Sequence, residues 1–188
     1  MVENEHTTID IGRDTAIRLS CFLSANIPNK DQSGIRNKRV TKIKKFKFDT
    51  GAQYTCLNAR EFSINLTEEE FRKTYKGNIM EGTGLDQTTH ITYYLLQVEN
   101  FVVEGLDLGS VPIYITFDSR ACKNLLGLDL IKLFNIRMDF DSGRMELSRT
   151  QQFMDFKKLK LRLEPTDMFR LGIYKKNSEK DVDIQDMT

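Results

Sequence analysis

An alternating strand that runs directly into an acidic turn constrains this chain more than any other feature. Residues 43–48 alternate up to Phe48 and are followed by Asp-Thr-Gly-Ala at positions 49–52. Apolar residues over 54–57 then return the chain toward a core. Because burial disfavours the charged form of a carboxylate, Asp49 stands at an expensive location. The stretch predicts either a well-satisfied turn or an acid tuned for catalysis.

Length and charge limit the classes of protein to which the chain can belong. The 188 residues suffice for about one domain with terminal extensions. The net charge of +1 gives no argument for nucleic acid or membrane as a partner. No apolar run approaches the roughly 20 residues that span a bilayer, and the polar, acidic N-terminus is unlike a secretory signal. A basic cluster over residues 36–45 leaves nucleic-acid binding as a weaker alternative, since no aromatic side chains are interleaved for stacking.

The cysteines and histidines predict neither a metal site nor a nucleophilic triad. Cys21, Cys56 and Cys122 are odd in number and contain no C-x-x-C pair. They indicate reduced thiols in a cytoplasmic protein, without a disulfide framework, a zinc site or a cofactor. His6 lies in a polar segment and His90 on a strand, so neither fits a protease triad. Cys56 is expected in the core.

The hydrophobic periodicity predicts a β-rich domain in which helix is the minority state. A capping box formed by Thr67 and Glu70 starts a helix over 68–76, which Gly77 is expected to end. Residues 26–39 are polar and predict an exposed loop, and turns are expected at 99–100 and 106–110. A short helix containing Leu130 and Phe134 is also expected. Strands are predicted over 16–23, 40–48, 90–98, 101–103 and 111–117, and a hairpin over 136–147. In the first strand, one face is apolar and carries Ile17, Leu19, Cys21 and Leu23.

Three stretches together resemble the retropepsin-like aspartic proteases, in a non-viral (cellular or bacterial) form. The strand feeding residues 49–52 is the first, and the glycine turn over 82–84, where the family carries its flap, is the second. The third is Leu-Leu-Gly-Leu-Asp-Leu over 125–130, where the family has an apolar-apolar-glycine motif followed by a short helix. Asp-Thr-Gly alone is weakly specific. Followed by Ala and joined to the second motif, it becomes a strong signal.

The resemblance implies an all-β, closed-barrel fold that works as a homodimer and cleaves peptide bonds in a protein or peptide substrate. It covers residues 15–150, preceded by a polar segment over 1–14 and followed by an extension over 151–188. Within that extension, residues 159–163 either supply an interface strand or cover the domain, and a charged tail follows. The implied site residues are Asp49 as catalyst; Thr50, Gly51 and Ala52 as loop support; Gly82, Thr83 and Gly84 in the flap; and Leu126, Gly127 and Asp129 in the second motif.

Asp49 needs a second carboxylate, and the sequence offers a tempting one in Asp141-Ser142-Gly143. Two aspartates close together cannot both ionise, so they share a proton and supply both a base and an acid. Asp141 is excluded as the partner because Arg144 stands where a small residue is required and the Leu-Leu-Gly motif precedes the triplet. Asp141 is predicted in a hairpin turn. The partner of Asp49 is then the Asp49 of a second copy.

Two departures from the family pattern leave an alternative function open. Leu128 and Asp129 follow the glycine of the second motif, where many retroviral members have Arg and a polar residue. The helix over 68–76 is an insertion relative to the compact viral enzymes. The alternative is a catalytically silent module on the same fold, serving in dimerisation or peptide binding.

Overall fold

Strands make up most of the structure, a computed structural model that describes residues 6–11, 16–83, 90–118 and 124–150. This confirms the all-β class with two short helices over the described ranges. In chain order the elements are β1 (His6–Asp10), β2 (Arg18–Asp31), β3 (Gly34–Phe48), β4 (Cys56–Asn58), α1 (Glu68–Thr74), β5 (Ile79–Thr83), β6 (His90–Val103), β7 (Leu106–Thr116), β8 (Leu125–Leu126), α2 (Leu128–Ile131), β9 (Phe134–Asp139) and β10 (Arg144–Arg149).

Six of these strands close into a barrel, as the sequence predicted. The hydrogen-bonded order is β2-β3-β8-β4-β7-β6-β5, and β2 also pairs with β6, so that β2 to β6 form a closed ring to which β5 is attached. The closing pairs run from Cys21 opposite Val103 to Ser24 opposite Asn100. Closure leaves the barrel strands without a free edge. The second sheet has the order β1-β10-β9.

The barrel interior is filled by alternate residues of the strands. Leu19, Cys21 and Leu23 of β2 are essentially inaccessible to solvent, which confirms the predicted buried face of this strand. Phe46 of β3 is fully buried and meets Phe101 edge to face at 5.8 Å between ring centroids. The same alternation directs Asp49, three residues beyond Phe46, to the opposite face of the sheet.

The loop predicted over 26–39 is wrong, because these residues form a long antiparallel hairpin. β2 and β3 stay paired out to Asp31 opposite Gly34, a glycine with a φ of +115° at the tight turn. Ile27 is fully buried on this hairpin. Its remaining side chains are mostly exposed, and their polarity hides the strand from composition-based prediction. The backbone ladder, which the sequence does not display, holds the two strands together.

The turns predicted at 99–100 and 106–110 are also wrong. β6 runs without interruption through both Glu99 and Asn100, with register shifts between Val98 and Val102. Such a bulge breaks the two-residue period without ending the strand. The chain instead reverses at Glu104 and Gly105, whose φ values are +46° and +84°.

The first helix begins where the sequence predicts and ends earlier. The Thr67 hydroxyl accepts a bond from the Glu70 amide at 3.2 Å, and the Glu70 carboxylate accepts one from the Thr67 amide at 2.9 Å. The capping box is thereby confirmed. Tyr75 caps the C-terminus of the helix, because its amide donates a hydrogen bond to the Phe71 carbonyl. Gly77 therefore does not end the helix.

The N-terminal segment and the predicted C-terminal hairpin belong to one sheet. Residues 6–10 belong to the segment set apart as polar, yet they form β1 and pair with β10 from His6 opposite Ser148 to Asp10 opposite Arg144. The hairpin predicted over 136–147 is confirmed as β9 and β10, although Phe134 starts β9 and does not belong to α2. Residues 151–188, including the predicted strand over 159–163, lie outside the described residues.

Candidate active site

The Asp49 backbone is held where β3 ends. Its amide donates a bond to the Leu126 carbonyl at 3.1 Å, which extends the parallel pairing of β3 with β8 by one step. Its carbonyl accepts a bond from the Ala52 amide at 3.2 Å and closes the turn over 49–52. The acidic turn is therefore fixed by the strand before it and by the second motif beside it.

The Asp49 carboxylate is partly exposed and has two partners. The Gly51 amide donates to Oδ1 at 3.0 Å, and Lys47 Nζ donates to Oδ2 at 3.0 Å. One quarter of the side chain remains exposed. The bond from Lys47 holds the pKa of Asp49 below its usual value, against the opposing effect of burial and with help from the Gly51 amide. The carboxylate is therefore ionised at neutral pH in the single chain.

The second motif is bonded directly to the turn. The Leu128 amide donates to the Ala52 carbonyl at 2.8 Å, and the Asp129 amide donates to the Gln53 carbonyl at 3.2 Å. Two stretches that lie far apart in the sequence thus form one hydrogen-bonded unit. This brings together Asp49, Ala52, Leu126 and Asp129 of the predicted site.

Asp129 supports this unit from inside the protein. Its Oδ1 accepts bonds from the amide and the hydroxyl of Thr55, at 2.9 and 2.7 Å, and from the Leu130 amide at 2.9 Å. The Thr55 hydroxyl in turn accepts a bond from the Gly127 amide at 3.1 Å. Oδ2 is buried and has no hydrogen-bond partner among the described residues. Burial raises the pKa of Asp129 despite its three donors.

Gly127 is required by close backbone packing. A Cβ atom at this position would lie 2.4 Å from the Tyr54 carbonyl carbon and 2.9 Å from the Thr55 amide nitrogen. Such distances are not tolerated, so any side chain would separate the second motif from the acidic turn. This gives a physical reason for the glycine in Leu-Leu-Gly that sequence spacing did not supply.

Gly51 is needed for the space beside the Asp49 carboxylate. It is not among the glycines with positive φ, so its backbone conformation does not require a glycine. A Cβ atom here would instead lie 3.2 Å from Asp49 Oδ1. Glycine at position 51 therefore gives room to the carboxylate and lets the Gly51 amide approach it.

A second apolar cluster lies across the sheet from the main core. Leu125 is the register partner of Lys47, and Cys56 is paired with both Leu125 and Tyr114. Their sequence neighbours Leu57, Ile115 and Leu126 are in the main core, so alternation places the second cluster on the Asp49 face. Its members are Cys56, Tyr114, Tyr54, Met80, Tyr93, Leu95 and Leu125.

Aromatic rings give this cluster much of its surface. Tyr54 and Tyr114 lie 5.1 Å apart between ring centroids, and Tyr93 lies 6.3 Å from Tyr114. Burial, together with Tyr54 and Asp129, raises the pKa of Tyr114 to about 12. Cys56 is buried as expected, but it belongs to this cluster and not to the main core.

The remaining predicted residues lie in less constrained positions. Thr50 is exposed, and in the described part of the chain its hydroxyl has no hydrogen-bond partner. Gly82 and Thr83 lie in β5 opposite Ile91 and His90, whereas Gly84 lies outside the described residues. β5 is the last strand in the order of the larger sheet, and among the described strands it pairs only with β6.

Asp141 lies in a turn of its own, and two residues of the basic cluster are paired with glutamates. Asp141 is an exposed residue of the turn between β9 and β10, as predicted, and its amide donates to Asp139 at 3.0 Å. Two residues of the basic cluster form ion pairs, Lys44 with Glu61 and Arg39 with Glu99. Among the described residues, no three His, Cys, Asp or Glu side chains gather as metal ligands.

The sequence reasoning missed Lys47 and Thr55 as parts of the site. Lys47 precedes Asp49 by two residues, and the two-residue period of a strand would have placed both on one face. Thr55 carries no local signal, because its bonds to Asp129 and Gly127 join distant stretches.

Comparisons with known proteins bear mainly on the fold. No protein-family model and no curated protein matches the chain. Among solved structures it is similar to a retropepsin-like aspartic protease from Rickettsia conorii, with a TM-score of 0.46 and 16% sequence identity, over 77% of this chain and 91% of that one. Over the described residues, no helix is long and apolar enough to cross a membrane.

Proposed function

We propose that the chain is an aspartic endopeptidase that hydrolyses peptide bonds as a symmetric homodimer. The observation that carries the proposal is the Asp49 carboxylate, partly exposed at the end of a barrel strand on a turn bonded to the second motif. A turn that was merely structural would need no such external support. Here the second motif holds the turn in place, and the turn carries a partly exposed carboxylate.

A second copy is required because Asp129 and Asp141, the two other aspartates considered in the described part of the chain, cannot act as the partner of Asp49. Asp129 is buried behind the turn and is occupied by Thr55 and Leu130. Asp141 lies in a separate hairpin turn. A two-fold axis beside Asp49 would bring together two copies of the exposed turn over 49–52. Thr50, exposed and without a partner in the described chain, is then free to bond across the axis.

The chemistry follows from placing two Asp49 carboxylates side by side. The pair shares one proton because two adjacent negative charges repel each other. The ionised oxygen takes a proton from a water molecule, and that water attacks the peptide carbonyl carbon. The protonated oxygen donates its proton to the carbonyl oxygen, which gives a neutral intermediate with two hydroxyl groups. The C–N bond then breaks: the carboxyl that took the water proton passes it to the leaving nitrogen, and one hydroxyl of the intermediate returns a proton to the other carboxylate, so that the pair again shares one proton. The titration belongs to the pair, so the pH–rate profile is bell-shaped.

Substrate binding uses the face that carries the second cluster. β5 has an edge that can pair with an extended peptide by strand addition. The aromatic and aliphatic side chains of the second cluster then accept substrate side chains that alternate toward this face. Gly82, Thr83 and Gly84 would close over the peptide as the flap.

The test compares Asp49→Asn with Asp141→Asn as a matched control. Both substitutions change one carboxylate of an Asp-Thr/Ser-Gly triplet into an amide, but only Asp49 lies in the candidate site. With an unfolded protein as substrate, we expect Asp49→Asn to reduce cleavage by about 10³-fold or more, since the general base is lost. Asp141→Asn should cleave at the wild-type rate. Equal cleavage by both variants contradicts the proposal.

Sedimentation completes this test by measuring the oligomeric state. The proposal requires a dimer in the concentration range where cleavage is measured, and a monomer that cleaves at wild-type rate contradicts it. A dimer that binds an aspartic protease inhibitor without cleaving at any pH identifies the catalytically silent module. A cytoplasmic location is also proposed, and the buried cysteines Cys21 and Cys56, neither of which is in a disulfide, are consistent with it.

A further inference from the structure

Lys47 lies beside the Asp49 carboxylate, and Arg18 lies opposite Lys47 on the same face of the sheet. Lys47 Nζ is 3.0 Å from Asp49 Oδ2, and Arg18 of β2 is the direct antiparallel partner of Lys47. Directly opposed residues point to one face, with Cβ atoms about 5 Å apart. Arg18 and Lys47 therefore form a cationic pair next to the candidate catalytic group.

This cationic pair carries more positive charge than its surroundings neutralise. Among the described residues, Arg18 has no ion-pair partner, and Lys47 pairs with Asp49 alone. On its other side, Lys47 is the register partner of the apolar Leu125. Like charges directly opposed on a sheet are unfavourable, so an additional anion at this position would stabilise the site.

The proposed dimerisation does not remove this excess of positive charge. Two Asp49 side chains that share one proton hold a single negative charge between the two copies. The same two copies bring two Lys47 and two Arg18 side chains. The positive excess lies at the point where the scissile bond would sit.

The reach of Lys47 identifies the part of the substrate that it meets. Residues of an extended peptide are spaced by about 3.3 Å, close to the distance between the Lys47 amine and the Asp49 carboxylate. A peptide carbonyl held at Asp49 therefore presents the side chain next to the scissile bond to Lys47. The Lys47 side chain is 45% exposed, and exposed ion pairs are weakly held, so a substrate anion can displace Asp49.

We propose that Lys47, with Arg18 beside it, selects substrates that carry a carboxylate side chain next to the scissile bond. The inference rests on the proposed function, because it takes Asp49 as the point of attack. Lys47 acts as a binding residue in this role and takes no part in the transfer of protons to the peptide. The remaining substrate side chains on this face meet the apolar second cluster.

The experiment measures binding separately from cleavage. Two pools of randomised octapeptides contain a hydroxyethylene group in place of the scissile bond, with Glu or Gln fixed on either side of it. Their affinities for the full chain are measured by calorimetry at neutral pH. The variants are Lys47→Met, which removes the charge at similar length, and Lys45→Met, the matched control on the same face of β3 but two residues farther from Asp49.

We expect the wild type and Lys45→Met to bind the Glu pool about fivefold more tightly than the Gln pool, as befits a partly exposed ion pair. Lys47→Met should bind the two pools equally. Equal binding by the wild type, a preference retained in Lys47→Met, or no binding of either pool would overturn the proposal.

Parallel cleavage of the corresponding amide peptides separates the two proposals. Cleavage without a preference for Glu leaves the endopeptidase intact and rejects the role of Lys47. A Glu preference in binding that Lys47→Met abolishes, without any cleavage by the wild type, supports recognition by Lys47 and rejects the endopeptidase.

Discussion

Asp49 and Asp129 are the same residue type in one hydrogen-bonded unit, and their environments are opposite. Asp49 is partly exposed, with a lysine and an amide as partners, and its pKa is held below the usual value. Asp129 is buried, with three donors on one oxygen and none in the described structure on the other, and its pKa is raised. One carboxylate lies on the turn and is partly accessible to solvent. The other is enclosed in the support of the turn.

The contrast shows how a turn can keep a carboxylate accessible without leaving it loosely held. The support for Asp49 comes from behind, through the bonds of Leu128 to Ala52 and of Asp129 to Gln53 and Thr55. A carboxylate in the support is effective because one oxygen can accept several bonds at once. Its desolvation is the cost of this arrangement.

The largest difference is expected when each carboxylate is removed. Asp129→Ala leaves the Thr55 and Leu130 amides buried without an acceptor, and we expect a loss of about 3 kcal/mol or more in the free energy of unfolding. Asp49→Ala removes an exposed ion pair and one turn bond, and should cost about 1 kcal/mol or less. Urea unfolding of both variants measures this. Equal losses would contradict the division between support and reactive group.

A smaller difference in stability is expected between substitutions of Gly127 and Gly51. Gly127→Ala places a methyl group against the Tyr54 and Thr55 backbone, and we expect a loss of about 2–3 kcal/mol. Gly51→Ala meets only the Asp49 carboxylate, which can move toward solvent, so its cost should be below about 1 kcal/mol. Thermal unfolding at matched protein concentration compares the two. A greater loss for Gly51→Ala than for Gly127→Ala would contradict the tighter packing at Gly127.

The smallest effect concerns the pH dependence of stability. Because the folded-state pKa of Asp129 is raised, the unfolded chain releases this proton first, and stability falls as pH rises from the unfolded pKa to the folded one. Asp129→Asn cannot ionise and lacks this contribution. We therefore compare the melting temperature of the variant with that of the wild type at each pH. The difference, variant minus wild type, should be more positive near neutral pH than near pH 3. A difference in melting temperature that stays constant with pH would contradict the raised pKa.

The sequence predicted the parts of the fold that depend on local patterns. The capping box at Thr67 and the buried face of β2 were both confirmed, since each rests on spacing within a few residues. The hairpin over 26–39 was missed because its exposed strands are polar, and backbone pairing leaves no mark on composition. The single strand β6 was predicted as two because a bulge interrupts its period.

The site divides in the same way. The amino-acid pattern alone placed Asp49 at the end of an apolar strand on a glycine-containing turn, and identified Leu126-Gly127 as a second motif. The folded chain was needed to show that the two stretches bond to each other, that Gly127 packs against the Tyr54 backbone, and that Lys47 contacts Asp49. Periodicity describes neighbours along the chain. The pKa of a carboxylate depends on neighbours in space, which only the closed barrel brings together.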